Sequence, residues 1–428
     1  MNCGTAYCEQ GCPIGSDISE WVGLVKQGRP REAYESLRSD IIFPEFTSRL
    51  CVAPCEACCC FSIREPSVSI CDLEDYIIEL AFRSGWVKPN IPAVRRNKKV
   101  AIIGSGPAGL AAADNLNALG YTVIIFEREV KAGGALRYVI PDARLEKWVL
   151  DRRLSLMEEA GVQFRLNCHV GYNMDVNDLL RDFGAVVLCI GSANPRNLLI
   201  PGREVGGVYF LKDVLRYCNA ITSGDIYSGP EMLVTGKDII VFSDHPDGWV
   251  GVLARFGARS VTVLSLLPRK PYKYLPEHPL ILPELRPFFV DTQPFMKEPL
   301  VEMLWSIAAK ELIADEVGNL RAVKLVRLEW SGKDRFIEVE GSEVEFPCDM
   351  AILAMGFVGP EHEGLLRKLD IDLDDRGNIA TNSSFGTSIP KVFAAGDGHI
   401  GQSHVPWAIA EGNKVAKAVH LFLSGPSY

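Results

Sequence analysis

The sequence predicts an α/β protein with two Rossmann-like dinucleotide-binding units, preceded by a small helical domain. Three observations carry that expectation. Val100–Glu127 reads strand, glycine-rich turn, helix, strand and acid in unbroken order. Val392–Asp397 ends an apolar strand on Gly-Asp, and eight of the thirteen cysteines precede residue 61. In the first pattern, Val100–Ile103 has the length and branching of a buried strand. It runs into Gly104-x-Gly106-x-x-Gly109, then a helical stretch closed by Gly120, then Val123–Phe126. Such glycines provide a tight turn, close backbone approach to a pyrophosphate, and close packing of helix on strand. The helix start offers free N–H groups and a positive dipole end to phosphate. Glu127 stands 23 residues after Gly104, where a carboxylate reaches an adenosine ribose.

Composition bounds the rest. A chain of 428 residues is long for one domain, and its 47% apolar content supplies ample core. The net charge of −9 argues against nucleic acid as a partner. No apolar run approaches the roughly 20 residues of a membrane span, and the N-terminus lacks a secretory pattern. A cytoplasmic location is expected, and with it metal-binding cysteines in place of a disulfide framework.

Those cysteines fall in two groups, Cys3-x4-Cys8-x3-Cys12-Pro13 and Cys51-x3-Cys55-x3-Cys59. Closely spaced thiolates in two groups, one ending in Cys-Pro, suit iron–sulfur clusters; zinc is the structural alternative. Ile18–Leu37 and Cys71–Phe82 read as helices, which makes this a small helical iron–sulfur domain.

CGTAYCEQGCP, IIFPEFTSRLCVAPCEACC and the glycine-loop unit, in that order, resemble the small subunit of glutamate synthase over nearly the whole chain. The same architecture is found at the N-terminus of dihydropyrimidine dehydrogenase. The resemblance implies a glutathione-reductase-like pair of dinucleotide domains holding FAD, with one or two 4Fe-4S clusters. By position, Cys3, Cys8 and Cys59 would serve one cluster, and Cys12, Cys51 and Cys55 the other, with Glu74 as its fourth ligand. The family's first cysteine falls one position before Met1, so Cys58, Cys60 and Cys71 become candidate replacements in the first set.

For FAD the resemblance assigns Gly104, Gly106, Pro107, Ala108 and Gly109 around the phosphates, then Glu127 and Arg128. It adds the second glycine pair, Gly133 and Gly134, with Leu136 and Arg137, and Gly191 at the end of the apolar strand Ala185–Gly191. Gly396 and Asp397 suit a ribityl or phosphate contact. Ser403, His404, Val405 and Ala408 open a helix, which Pro406 places in its first turn. In the family that helix end points at the flavin ring. His404 replaces an apolar family residue and either tunes the flavin or packs.

The chain divides on this reading into 1–95 (helical iron–sulfur), 96–212 (FAD-binding, first part), 213–345 (a second Rossmann unit) and 346–428 (FAD-binding, second part). Lys237–Phe242 is the first strand of the second unit, and Gly257–Leu264 its helix end and second strand. The intervening turn, Ser243-Asp244-His245-Pro246-Asp247-Gly248-Trp249, lacks the expected glycine pattern and carries two aspartates. Paired arginines that would grip a 2′-phosphate are replaced by Leu266-Leu267-Pro268, leaving Arg269. Weak nicotinamide binding is therefore expected, with NAD(H) preferred to NADP(H). Seven prolines in Pro268–Pro294 make an extended run, read as a partner-docking surface or an irregular loop. The strand stretch Ala351–Glu361 is expected to return the chain to the first unit.

Cys168, Cys189, Cys218 and Cys348 stand singly, so no close pair for disulfide reduction lies beyond the N-terminal module. The sequence as a whole reads as an electron-transfer subunit of a hetero-oligomeric oxidoreductase, joined to catalytic or iron–sulfur redox subunits. The other reading is a relay or scaffold subunit that has lost nucleotide chemistry.

Overall fold

The computed structural model describes residues 6–63, 66–225, 227, 229–230, 232–244, 249–269, 301–331 and 335–425. The N-terminal part is helical: α1 (Tyr7–Gly11), α2 (Ile18–Lys26), α3 (Pro30–Asp40), α4 (Pro44–Leu50), α5 (Pro54–Ala57) and α6 (Ile70–Arg83). Three of these start on proline, which suits a first turn because its missing N–H has no partner there anyway. The expected single helix Ile18–Leu37 is two. Gly28 takes φ +72° and Arg29-Pro30 restarts the chain. Trp21, Leu37, Ile77 and Ile78 are fully buried at the centre of this bundle.

A first parallel sheet takes β1 (Lys99–Ile103), β2 (Thr122–Phe126), β3 (Gln163–Arg165) and β4 (Ala185–Leu188). Helix α7 (Pro107–Ala118) crosses between β1 and β2, and the chain leaves through β5 (Asn194–Pro195). A second parallel sheet takes β6 (Val208–Phe210), β7 (Asp238–Phe242), β8 (Ser260–Ser265) and β9 (Val301–Trp305). An antiparallel ladder follows, β10 (Ile307–Ala314), β11 (Leu320–Trp330), β12 (Phe336–Glu338) and β13 (Val344–Pro347). Then β14 (Met350–Leu353) rejoins the second sheet, β15 (Phe357–Gly359) pairs with β5, and β16 (Val392–Ala394) rejoins the first. The strand orders are β16-β4-β1-β2-β3 and β6-β14-β7-β8-β9.

The stretch Ala351–Glu361 divides in two. Its first part does not return the chain to the first sheet; β14 sits between β6 and β7 in the second. A short, uniformly apolar run fits the interior of either parallel sheet, so its side chains do not choose between them. The crossing back is made one strand later, where β15 pairs antiparallel with β5. Among the described residues no helix is long and apolar enough to cross a membrane. Most of the proline-rich run, from residue 270 onward, lies outside the described residues.

The helical bundle docks on the first sheet through α4. Phe43, Phe46 and Leu50 join the core formed by α7 and the C-terminal helix Val405–Ser424. Beside them the Arg153 Nε–Glu45 Oε1 pair, 2.5 Å apart, is buried on both sides. Glu45→Ala strands the guanidinium without its counter-charge, and the expected loss is about 3–5 kcal/mol of stability. Urea unfolding checks this; a loss below about 1 kcal/mol would show that water or another group takes over.

Candidate functional site

The glycine loop, Glu127, Gly191 and Gly396 lie at the carboxyl edge of the first sheet, where open parallel sheets bind ligands. The glycine loop follows β1, Glu127 ends β2, Gly191 follows β4 and Gly396 follows β16. The three loop glycines divide into two kinds. A β-carbon at Gly104 would fall 2.3 Å from the Cys189 carbonyl oxygen, and one at Gly109 would fall 2.0 Å from that of Gly104. Both are required by packing. At Gly106 a β-carbon would meet nothing within 4 Å. That position is open on the ligand side, directly before α7, whose start carries no side-chain cap. The N–H groups of the first turn, at Ala108 and Gly109, have no intrahelical partner, and Pro107 brings none. The cradle therefore fits a pyrophosphate.

The second glycine pair closes on the first. A β-carbon at Gly134 would lie 2.8 Å from Gly106 Cα, and Gly133 N donates to Ser105 Oγ at 2.8 Å. Ser105 in turn donates from its hydroxyl and, at 3.0 Å, from its N–H to Glu127 Oε2. Glu129 N donates to Glu127 Oε1 at 2.9 Å. These bonds hold the buried Glu127 carboxylate in place, and a carboxylate offers about four acceptor positions, leaving one for a ribose hydroxyl. Ser105 carries no signal in the sequence, because it occupies a variable position of the glycine motif.

Two of the expected residues are committed to their own chain. Arg137 donates to Ala132 O at 2.6 Å and pairs with Asp151. Arg128 pairs with Glu361 at 2.9 Å. Both border a cavity of about 610 Å³ shared with Tyr138 and Arg216. Leu136 is fully buried in the core.

On the other flank, Gly396 is required by the approach of Ala108, whose Cβ lies 2.7 Å from a β-carbon built there. Gly412 lets the C-terminal helix lie on α7, since a β-carbon there would meet Ala108 O at 2.3 Å. Asp397 accepts from Ser403 Oγ at 2.6 Å, and burial pushes its carboxyl pKa up. His404 immediately precedes the C-terminal helix without capping it, and its ring lies against Trp407. Val405 and Ala408 thus belong to a second uncapped helix start on the same edge of the sheet as α7. A dyad not foreseen in the sequence supports this flank. His399 Nδ1 lies 2.7 Å from Glu411 Oε2, and its Nε2 lies 2.9 Å from Thr381 Oγ1. It ties the Asp397 turn to the C-terminal helix.

In the helical bundle, Cys12, Cys51, Cys55, Cys71 and Glu74 line one cavity, together with Thr47 and Pro406. The sulfurs are already addressed by backbone donors. Cys12 accepts from the N–H groups of Ser16, Ile14 and Gly15. Cys51 accepts from Ala53 N at 3.4 Å, made possible by the left-handed φ of +53° at Ala53. Cys51 and Cys71 are hydrogen-bonded to each other, which lowers the pKa of Cys51. Glu74 accepts from the Thr47 hydroxyl, and burial raises its carboxyl pKa well above the usual range. Among the described residues no three such side chains converge tightly enough for a single ion. The donors instead surround a space, and they fit a cluster.

The other thiol set is described in part. Cys3 lies outside the described residues. Cys8 is on α1, Cys59 is buried just past α5, and α1 packs on α5. Cys58 packs on Gly11, which shares the α1 face of Cys8. Cys71, offered by the sequence as a replacement here, faces the other cavity. Away from the bundle, burial pushes Cys189, Cys218 and Cys348 up to about 12. They are inert thiols.

In the second sheet, the turn after β7 is described only through Asp244, so His245 and Asp247 lie outside the described residues. Asp244 Oδ1 accepts from Ser265 Oγ, at the end of β8, at 2.9 Å. Arg269 is exposed. At the opposite end of β8, Arg259 is committed to Asp238 and Asp349.

Comparison with known proteins agrees with this geometry. Residues 1–86 match the model for dihydropyrimidine dehydrogenase domain II, 4Fe-4S cluster. Residues 98–236 and 290–412 match pyridine nucleotide-disulphide oxidoreductase. The chain is 40% identical to the glutamate synthase [NADPH] small chain of Mycobacterium tuberculosis, covering 100% of this chain and 88% of that protein. It is 37% identical to the Bacillus subtilis glutamate synthase [NADPH] small chain, covering 100% and 90%. It is also 40% identical to glutamate synthase [NADH] of Schizosaccharomyces pombe, where it covers 100% of this chain but 21% of that protein. Among solved structures, Mycobacterium tuberculosis FprA in complex with NADPH aligns with a TM-score of 0.58 at 16% identity, over 77% of this chain and 85% of that one. Full-length identity and both domain matches lead to one conclusion: the chain belongs to the glutamate synthase small-chain family of flavin- and iron–sulfur-type oxidoreductases.

Proposed function

We propose that this chain is the FAD- and iron–sulfur-containing electron-transfer subunit of a larger oxidoreductase, passing electrons between a pyridine nucleotide and a catalytic partner. One observation carries the reading. Pro406, in the first turn of the C-terminal helix, also lines the cavity formed by Cys12, Cys51, Cys55 and Glu74. The helix end that the family aims at a flavin is thus a wall of the thiol cavity, a separation of one side chain.

FAD, when bound, accepts an electron pair and releases it one electron at a time, while clusters carry single electrons. The chain's residues supply position and electrostatics. The starts of α7 and of the C-terminal helix present N–H groups and positive dipole ends to phosphate and to reduced flavin. Ser105 and Glu129 fix Glu127 for the ribose, and Ser403 orients Asp397. Burial raises the Cys12 pKa against its backbone donors, Cys51 accepts from Ala53 N, and such hydrogen bonds to cluster sulfurs tune cluster potential. We assign Cys3, Cys8 and Cys59 to one cluster and Cys12, Cys51 and Cys55, with an acidic or further thiol ligand, to the other. The nicotinamide nucleotide belongs at the carboxyl edge of the second sheet, and Asp244 favours NADH there. The partner is a catalytic subunit, as the relatives' designation as small chains suggests.

Anaerobically purified full-length chain is expected to contain iron and acid-labile sulfide, about three to eight irons by cluster stoichiometry. Cys51→Ala or Cys55→Ala should remove the share belonging to the cavity beside Pro406. Zinc without sulfide would overturn the assignment. Diaphorase activity of the isolated chain with NADH separates an electron-transfer enzyme from a scaffold that only docks.

A further inference from the structure

The family resemblance makes Glu74 the fourth ligand beside Cys12, Cys51 and Cys55, yet the cavity holds five donors for four positions. We propose that Cys71 takes the fourth position in place of Glu74, giving an all-cysteine 4Fe-4S site. The proposal rests on the cluster reading of this cavity.

Cys71 and Glu74 stand three residues apart on α6, so they share one face and compete for the same opening. Several observations favour the thiol. Cys71 is the second residue of a 14-residue helix, at the end of α6 that opens on the cavity. Its backbone N–H donates to Glu56 Oε1 at 3.0 Å, which fixes that helix start over α5. Its side chain is already hydrogen-bonded to Cys51, so it stands beside another donor of the set. Glu74 is set back in the bundle at 4% exposure, with one oxygen held by the Thr47 hydroxyl. That bond occupies one of its two oxygens and orients the carboxylate toward Thr47. Soft thiolate is also the better match to an iron–sulfur cluster than hard carboxylate.

Ligation of the cluster by Cys71 is a ligand exchange with no change of oxidation state; the cluster itself balances as two ferrous and two ferric ions with four sulfides. The Cys71 S–H bond breaks, the proton leaves to solvent, and the sulfur bonds iron. The Cys51–Cys71 hydrogen bond opens in the same step, because its proton is the one released. Glu74 keeps its bond from Thr47 and serves as a neighbour of the cluster.

The test uses the full chain, reconstituted anaerobically with ferric and ferrous iron and sulfide, as wild type, Glu74→Gln, Cys71→Ser and Cys12→Ala. The readouts are iron and sulfide per chain, the EPR spectrum after dithionite reduction, and the midpoint potential. FAD content serves as the folding control. Cys12→Ala should lose about four irons and one EPR signal, which identifies the signal of this site. Glu74→Gln should keep that signal, its g values and its potential. Cys71→Ser should shift the g values and potential, or lose the same four irons, with FAD content unchanged. A shift in Glu74→Gln with Cys71→Ser unchanged would overturn the proposal and restore the carboxylate. An unchanged iron count in Cys12→Ala would instead sink the cluster reading of the cavity itself.

Discussion

Gly106→Asp should yield a folded, colourless protein. The β-carbon has open space, with no atom within 4 Å, so the substitution meets no steric obstacle inside the chain. The carboxylate, however, would stand where the uncapped start of α7 awaits a pyrophosphate. Two unit charges about 4 Å apart repel by roughly 4 kcal/mol at an intermediate effective dielectric, close to a thousandfold in affinity. Wild-type protein should be yellow and release FAD, not FMN, on denaturation, since the loop and Glu127 serve the adenosine half. The comparison is flavin content per chain, with circular dichroism to verify folding. Gly104→Ala provides the contrast. A β-carbon 2.3 Å from the Cys189 carbonyl, at a φ of +101°, damages the fold itself. Full flavin content in Gly106→Asp, or FMN in the wild type, would remove the dinucleotide assignment from this loop.

What the sequence made legible follows a simple division. The loop from Gly104 to Glu127 could be read because its parts are consecutive and each residue type has a backbone reason to be there. The strand that ends on Asp397 was readable for the same cause. Ser105 was not, since its role exists only once Gly133 and Glu127 close around it. Arg128 and Arg137, which the resemblance assigns to FAD, are paired with Glu361 and Asp151, partners that no local pattern announces. Cys71 is the clearest case. Spacing allowed it as a substitute in the first thiol set, whereas the packing of α6 against α4 delivers it to the second. Dependence on tertiary partners, not weakness of local pattern, separates the residues that could be read from those that could not. The strand β14 shows the same limit for topology, because two parallel sheets accept the same apolar run.

The second sheet gives the last expectation, that NADH reduces the bound flavin and NADPH does so only weakly. Full-chain identity does not decide the matter. Relatives named for NADPH stand at 40% and 37%, and one named for NADH at 40%. The decision rests on Asp244. A nucleotide-binding unit reads the ribose at the end of its second strand, with an acid for NAD or an arginine for the 2′-phosphate of NADP. Here Ser265 ends β8 and holds the Asp244 carboxylate at 2.9 Å. By that general rule, the Asp244 charge is expected to face the extra phosphate of a bound NADP. Among the described residues, Arg269 is exposed beyond Pro268, while Arg259 stands at the other end of β8, paired with two aspartates. The same repulsion of roughly 4 kcal/mol, unrelieved, corresponds to about a thousandfold preference. Anaerobic stopped-flow titration of the bound flavin with each nucleotide measures it. Asp244→Ser should narrow the gap by raising NADPH affinity with little change for folding, since Ser265 keeps a hydroxyl partner. Rapid flavin bleaching by micromolar NADPH in the wild type would show that Asp244 does not govern the site.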